Sequence, residues 1–254
     1  MFWYGAPLSR VERLCMTSFV RNGHRVNLYT YDDVGPVPEG VEHMDAERVL
    51  PREYLYLHRR TQSVGLFADW FRYALLYEQG GIWVDTDVVC LKPFDYPEPE
   101  VFAWQDERYI NNAVLGLPAG HEVAAWLAAC CADPNRLLPY DSLKVRLKKW
   151  QRRYLRGNRR DRIGWGEYGP KGLTNAVRHF GYTDKVLPPS HFYPVPYLQW
   201  HVLFESSSSA VQAAIEGSRG VHLWNNMMRE RPGFDKEGSF PPDSIFEQLC
   251  SRYL

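Results

Sequence analysis

Apolar and polar positions along this chain follow two periods, and the switches between them outline its elements. Phe2 to Gly5, followed by Ala-Pro-Leu-Ser, reads as a short strand, a turn and a helix start with Ser9 as N-cap. Val11, Leu14, Cys15 and Phe19 then share one helical face, and Asn22-Gly23 supplies the stop. Val26 to Tyr31 alternates as a strand and runs into Asp32-Asp33. Strand, helix, strand is the opening of an α/β fold with parallel strands. Residues 34–60 are rich in Gly, Pro and charge, which predicts loops with short helical pieces.

From about Ser63 the period turns helical again, with Leu66, Phe67, Trp70, Phe71, Ala74, Leu75 and Tyr77 on a wide apolar face that Gly80-Gly81 ends. Ile82-Trp83-Val84 has the pattern of a buried strand, stopping at Asp85-Thr86-Asp87, and Val88 to Leu91 continues extended. Further strands are expected at Val101–Trp104, Ala113–Leu117 and Val221–Trp224. Helices are expected at 121–132, 172–180 and 245–254, and Pro188-Pro189, Pro194 and Pro196 predict a rigid extended passage.

Composition narrows the classes. At 254 residues, 45% hydrophobic and 24% charged, the chain is globular rather than disordered. Lys plus Arg and Asp plus Glu number 30 each, so no overall field draws in nucleic acid. No apolar run approaches the roughly 18 residues of a membrane span. Cys15, Cys90, Cys130, Cys131 and Cys250 are odd in number and lack zinc or redox spacing, which fits free thiols. The opening MFWYGAPLSR has neither a basic flank nor an apolar signal region, so a cytoplasmic protein is expected. Aromatic residues reach 15%, enough for a ring-rich core or for a pocket that stacks a flat base or a sugar face.

One segment departs from neutrality. Lys144 to Arg162 holds ten basic residues against Asp161 alone, a local +9 that leaves −9 on the rest. Leu143, Leu147, Trp150, Tyr154 and Leu155 recur there at helical spacing. Such a helix either packs by its Leu and Trp side, leaving a solvated basic face, or lies on an anionic membrane surface or phosphorylated partner.

The chemistry concentrates in residues 68–95. A D-x-D such as Asp85-Thr86-Asp87 is too short to mean much alone, but two carboxylates ending an apolar strand need a cation or tight hydrogen bonds. Oxygen ligands at that spacing suit Mn²⁺ or Mg²⁺, which bridge phosphates. A strand-end turn with one capping Asp is the plain alternative. A D-x-D phosphatase using Asp85 as nucleophile is another, although the downstream acidic motif of such enzymes is missing from the sequence. Asp69 and Arg72, three apart on the preceding helix, form either an intrahelical ion pair or a set of donor contacts. Asn111 and Asn112 follow a strand beside the D-x-D and either shape a turn or reach a transferring sugar. Glu167, in the WGEYGP turn, is either a solvated acid or a group that positions an acceptor hydroxyl.

The block with Asp69, Arg72, Gly80-Gly81 and Asp85-Thr86-Asp87 closely resembles the D-x-D sugar-binding region of a retaining glycosyltransferase family. That family includes capsular-polysaccharide transferases, mannosyltransferases and α-1,4-galactosyltransferases. GAPLSRVERLCMTSF, HRVNLYTYDD, INNAVLG, WGEYGPKGLT, PPSHFYPVP and VHLWNNM look like its other blocks, in order, and only 144–162 falls outside the pattern. The resemblance implies a GT-A fold, a Rossmann-like nucleotide-binding half (1–117) merged with an acceptor-binding half (118–254) in one domain. It also implies a nucleotide-sugar donor, with UDP-sugar favoured over GDP-sugar, and a glycan or lipid-linked glycan acceptor.

By motif, Asp85 and Asp87 would hold the metal and ribose-diphosphate, and Asp69 and Arg72 the donor sugar and phosphates. Trp3 or Tyr4 would stack near the base. His222 would be a third metal or pyrophosphate ligand, with Trp224 and Asn225 closing over the phosphates. His222 and Trp224 without the family would read as core. No residue occupies a spacing that demands a nucleophile, so same-face attack is favoured over double displacement. A non-catalytic sugar-binding module is disfavoured because both acids of the D-x-D are present.

Overall fold

A capping box starts the first helix of the computed structural model, which describes residues 1–5 and 7–254. Glu12 accepts from the Ser9 backbone N–H at 2.9 Å, and Val11 N–H donates to Ser9 Oγ, so α1 (Arg10–Arg21) begins where its spacing predicts. Ala6, in the turn expected before it, lies outside the described residues. Val11, Leu14, Cys15 and Phe19 are buried as a face, and Gly23 takes the left-handed conformation just beyond the C-cap.

β1 (Val26–Thr30) pairs in parallel with β2 (Val41–Asp45), while Phe2 joins Tyr29 only by an isolated bridge. β2 corrects the expectation of loops in 34–60. Its residues are intermediate or exposed, so no apolar alternation marks it, and backbone pairing with β1 makes the strand.

α2 (Gly65–Gln79) buries Leu66, Phe67, Trp70, Phe71 and Leu75. It ends at Gly80, whose φ of 68° and ψ of −167° only glycine adopts readily, and where a Cβ would lie 2.5 Å from the Ala119 backbone nitrogen. The chain returns as β3 (Gly81–Val84) and then β4 (Val88–Cys90). β5 (Val101–Trp104) and β6 (Ile110–Leu117) complete a hairpin, and a two-residue β7 (Val186–Leu187) joins later. The main sheet has the order β3-β6-β5-β7, with β3·β6 and β5·β6 antiparallel and β5·β7 parallel. The parallel arrangement expected from the first residues is present in the Phe2–Tyr29 bridge and in β1·β2, and again in β5·β7, while the other pairs of the main sheet are antiparallel. β6 is buried along its whole length, whereas Ile82, expected in a buried strand, lies 40% exposed on edge strand β3.

α3 (Glu122–Ala132) packs against α2 and α5 (Pro170–His179), and α5 packs against β6 of this sheet. α6 (Ser209–Gly217) precedes β8 (Gly220–His222), and α7 (Asn225–Glu230) follows it. α8 (Ile245–Tyr253) closes on α1. The proline passage is extended at Pro188 and Pro196 but holds a 3₁₀ turn at Pro189–His191. β8 pairs antiparallel with β4, placing Val88 opposite His222. Two cores result, one around α1, β4, β8 and α8 and one around α2, α3, α5 and the main sheet. The mixed α/β class is the one expected.

α4 (Leu143–Leu155) carries the basic segment, and its orientation reverses the packed-Leu expectation. Leu143 is 85% exposed, Leu147 58%, Trp150 49% and Tyr154 66%, while Lys149 and Arg152 are buried. Lys149 Nζ donates to Asp141 Oδ2 at 2.8 Å, and Arg152 makes a bidentate pair with Glu167 at 2.6 and 2.9 Å. Two half-buried acids, Asp141 and Glu167, decide which side faces in.

Candidate active site

The D-x-D straddles the turn between β3 and β4, so each carboxylate meets a different partner set. Asp85 Oδ1 accepts from Arg72 Nη2 at 2.8 Å and from Trp83 Nε1 at 2.7 Å, and its backbone N–H donates to Ala113 O. Asp87 Oδ2 lies 3.1 Å from His222 Nε2 and accepts the Asn225 backbone N–H at 2.7 Å. The β4·β8 pairing brings in His222 from 135 residues away. One ligand atom each of Asp85, Asp87 and His222 lies within 4.8 Å of the others.

Electrostatics separate the two acids. Burial pushes the Asp85 carboxyl up, and the Arg72 guanidinium offsets only part of that. Burial acts on Asp87 too, but His222 and the Asn225 N–H outweigh it and hold Asp87 below its ordinary value. The buried Asn225 Oδ1 has no protein partner among the described residues. Two carboxylates and an imidazole within 4.8 Å of one another form a donor set that fits a divalent cation.

A cavity of about 1080 Å³ surrounds this cluster. Of the sequence candidates, Trp3, Tyr4, Asp69, Arg72, Asp85, Asp87, Asn111, Asn112, His222, Trp224 and Asn225 all line it. Asp69 Oδ1 accepts from Asn112 Nδ2 at 2.7 Å, and Arg72 Nη1 donates to the Asn112 carbonyl at 2.5 Å. Asp69 and Arg72 are thus more than an intrahelical pair, since their own separation is 3.7 Å and both are tied to β6. Burial raises the Asp69 carboxyl to about 6, against the pull of Arg72 and Asn112. Asn111, near the start of β6, keeps its amide within the β5–β6 hairpin, donating to Gln105 Oε1 and accepting from the Ala113 N–H.

Trp224 sits at φ 61° and ψ 55°, a left-handed conformation that costs a bulky residue on the order of 1–3 kcal/mol. Its Nε1 donates to Val195 O at 2.9 Å, and its ring centroid is 4.1 Å from that of His222. This kink aims the Asn225 N–H at Asp87.

Glu167 stands apart from the cavity wall. Arg152 grips both of its oxygens, the Gly164 N–H donates to Oε2 at 3.0 Å, and these donors hold its carboxyl below the usual range despite burial. Through these bonds Glu167 braces the 164–169 turn. That turn lays Trp165 over Gly65, where a Cβ would come within 2.5 Å of the ring, and sets Gly169 beside Asp69.

The cavity also contains groups the sequence reading missed. Arg229 Nη1 donates to Ser63 Oγ at 3.1 Å, and Lys236 pairs with Glu12 with its Nζ 5.3 Å from the Trp3 ring centroid. Arg229 lies four residues beyond Asn225 on α7, a helical spacing that could have revealed it. Nothing in the local pattern marks Lys236.

Comparison with known proteins agrees with this geometry. Residues 41–108 match the glycosyltransferase sugar-binding region containing a DXD motif, and residues 161–254 match the alpha 1,4-glycosyltransferase conserved region. The chain is 25% identical over 199 residues to human alpha-1,4-N-acetylglucosaminyltransferase, covering 73% of this chain and 50% of that protein. It is 25% identical over 251 residues to lactosylceramide 4-alpha-galactosyltransferase of Rattus norvegicus, covering 93% and 61%. The chain therefore spans about half to three fifths of the curated relatives it matches. PaToxG glycosyltransferase aligns with a TM-score of 0.47 at 14% identity, over 73% of this chain and 70% of that one. The first matched region contains Asp69, Arg72 and the D-x-D and the second contains His222, Trp224 and Asn225, so the chain resembles glycosyltransferases in both of the regions that supply the site.

Proposed function

We propose that this protein is a metal-dependent, retaining hexosyltransferase of GT-A type that moves a sugar from a nucleotide-sugar donor to a glycan or lipid-linked glycan. The observation that carries the reading is the Asp85–Asp87–His222 cluster inside a cavity large enough for a nucleotide sugar. Carboxylates with one imidazole favour Mn²⁺ over Mg²⁺. A divalent cation held there would neutralise the departing nucleoside diphosphate.

The protein's own groups do the rest. Arg72 holds Asp85 in place, and Arg229 and Lys236 offer positive charge to the phosphates. Trp3 and Tyr4 present rings to the base. Asp69 and Asn112 face the sugar and can stabilise positive charge at its anomeric carbon, while Asn111, its amide held by Gln105 and Ala113, shapes that part of the wall. No carboxylate is assigned as nucleophile, which favours same-face attack. The donor side draws mainly on 1–117 but is completed by His222, Arg229 and Lys236 from the second half, with the acceptor side expected around the 164–169 turn. The phosphatase reading with Asp85 as nucleophile is disfavoured because the downstream acidic motif of that enzyme class is missing from the sequence.

Thermal melting with Mn²⁺, UDP, GDP and each nucleotide plus Mn²⁺ tests the reading. One nucleotide should raise the melting temperature only with metal, by mass action, and Asp87→Ala should abolish that rise. No shift with any nucleotide would reject the donor site. Proton NMR of the first-formed product then checks retention.

A further inference from the structure

We propose that the outer face of α4 is a docking surface for an anionic lipid bilayer, extending the lipid-linked acceptor reading above. At about 100° per residue, Leu143, Leu147, Trp150 and Tyr154 fall within a wedge of about 60°. That wedge is the side of α4 turned to solvent, with all four side chains exposed. Lys144 and Lys148 flank it on one side and Arg146 and Arg153 on the other. Arg156 extends the exposed basic character beyond the helix, while Arg153 and Arg159 are paired with Asp133 and Asp161.

An amphipathic helix in a globular protein normally turns its apolar stripe inward. Here the inward positions are Lys149 and Arg152, neutralised by Asp141 and Glu167. The inversion exposes a contiguous ridge of large apolar side chains, which marks an interaction surface. The ridge has an apolar crest with cations on both flanks. That order matches the boundary between acyl chains and anionic headgroups, where Leu and Trp insert and Lys and Arg remain at the phosphates. A nucleic acid would be met by cations at the crest, and a second copy would bring like charges together. No helix among the described residues is long and apolar enough to cross a membrane.

The helix is also tied to the cavity. Arg152, on its inner side, grips Glu167 in the turn whose Trp165 and Gly166 line the cavity. Docking through α4 would therefore orient this wall relative to acceptors embedded in the bilayer.

Vesicle flotation tests the proposal. The full protein should float with phosphatidylcholine vesicles containing phosphatidylglycerol, should bind pure phosphatidylcholine far less, and should dissociate as salt rises. The double variant Leu147→Ser/Trp150→Ser should lose about tenfold or more of the binding, and Lys144→Glu/Lys148→Glu about tenfold. Both variants should retain the wild-type melting temperature, its Mn²⁺-nucleotide shift and hydrolysis of a soluble donor. These readouts separate loss of docking from misfolding and from failure of the transferase reading. Absence of wild-type binding, equal binding to neutral vesicles, or unchanged binding by Leu147→Ser/Trp150→Ser would overturn the proposal. So would a concentration-dependent dimer that the same variant dissolves.

Discussion

Asp69 carries the clearest cost at the level of a single residue. Its carboxyl is buried and raised to about 6, from an ordinary value of 3.8. The folded state therefore holds the proton more tightly than the unfolded chain, and stability falls as pH rises from about 4 to 6. At neutral pH the ionised group costs up to about 3 kcal/mol. Asp69→Asn should thus melt higher than wild type at pH 8, with the gap closing towards pH 4, while sugar transfer falls by at least tenfold. A lower melting temperature at pH 8 would show that its pairing with Arg72 dominates. Asp85 and Asp87 could be picked out from the sequence because they adjoin in the chain and end an apolar strand. Trp224 in its left-handed turn could not, because nothing in VHLWNN specifies a positive φ.

At the level of elements, helix ends and helix faces differ in how well the pattern foretold them. Ser9, Glu12 and Gly23 place the ends of α1 through local hydrogen bonds and one backbone preference, all readable from neighbouring residues. Gly80 combines a positive φ with backbone at 2.5 Å from a would-be Cβ. Gly80→Ala should accordingly cost more than about 2 kcal/mol in urea unfolding. For α4 the period correctly grouped Leu143, Leu147, Trp150 and Tyr154, but it could not say which group faces inward. That choice belongs to Asp141 and Glu167, acids from outside the helix. Removing one partner of the buried Arg152–Glu167 pair strands the other charge, so Glu167→Gln should cost about 3–5 kcal/mol. Arg152→Met with Glu167→Gln should recover part of that loss in a double-mutant cycle. Purely additive losses would mean that the pair does not act as a unit.

Across the whole molecule, the cavity takes its walls from both cores and from residues as far apart as Trp3 and Lys236. This convergence explains why Arg229, Lys236 and Trp165 escaped a reading made along the chain. The five cysteines are spread through both cores, all buried and unpaired. Burial raises their thiols, Cys130 and Cys250 to about 11 and Cys90 to about 12, so little thiolate exists at neutral pH. The native protein should leave all five unmodified by a disulfide reagent at pH 7, with reaction appearing only through unfolding. Rapid labelling of one thiol would locate a mobile region of the core.

The sequence by itself determined the main helices, most strands, the D-x-D turn and the relation to glycosyltransferases, because these rest on side chains within a turn or two of one another. It missed β2, whose residues lack apolar alternation, and gave no directions for the main sheet, since strand pairing is set by partners far along the chain. Only the tertiary structure decided that His222 meets Asp87, that Glu167 braces a turn, and that α4 turns its apolar ridge outward. Each of these depends on which distant charge or backbone group arrives at a given face, and a one-dimensional pattern holds no record of that arrival.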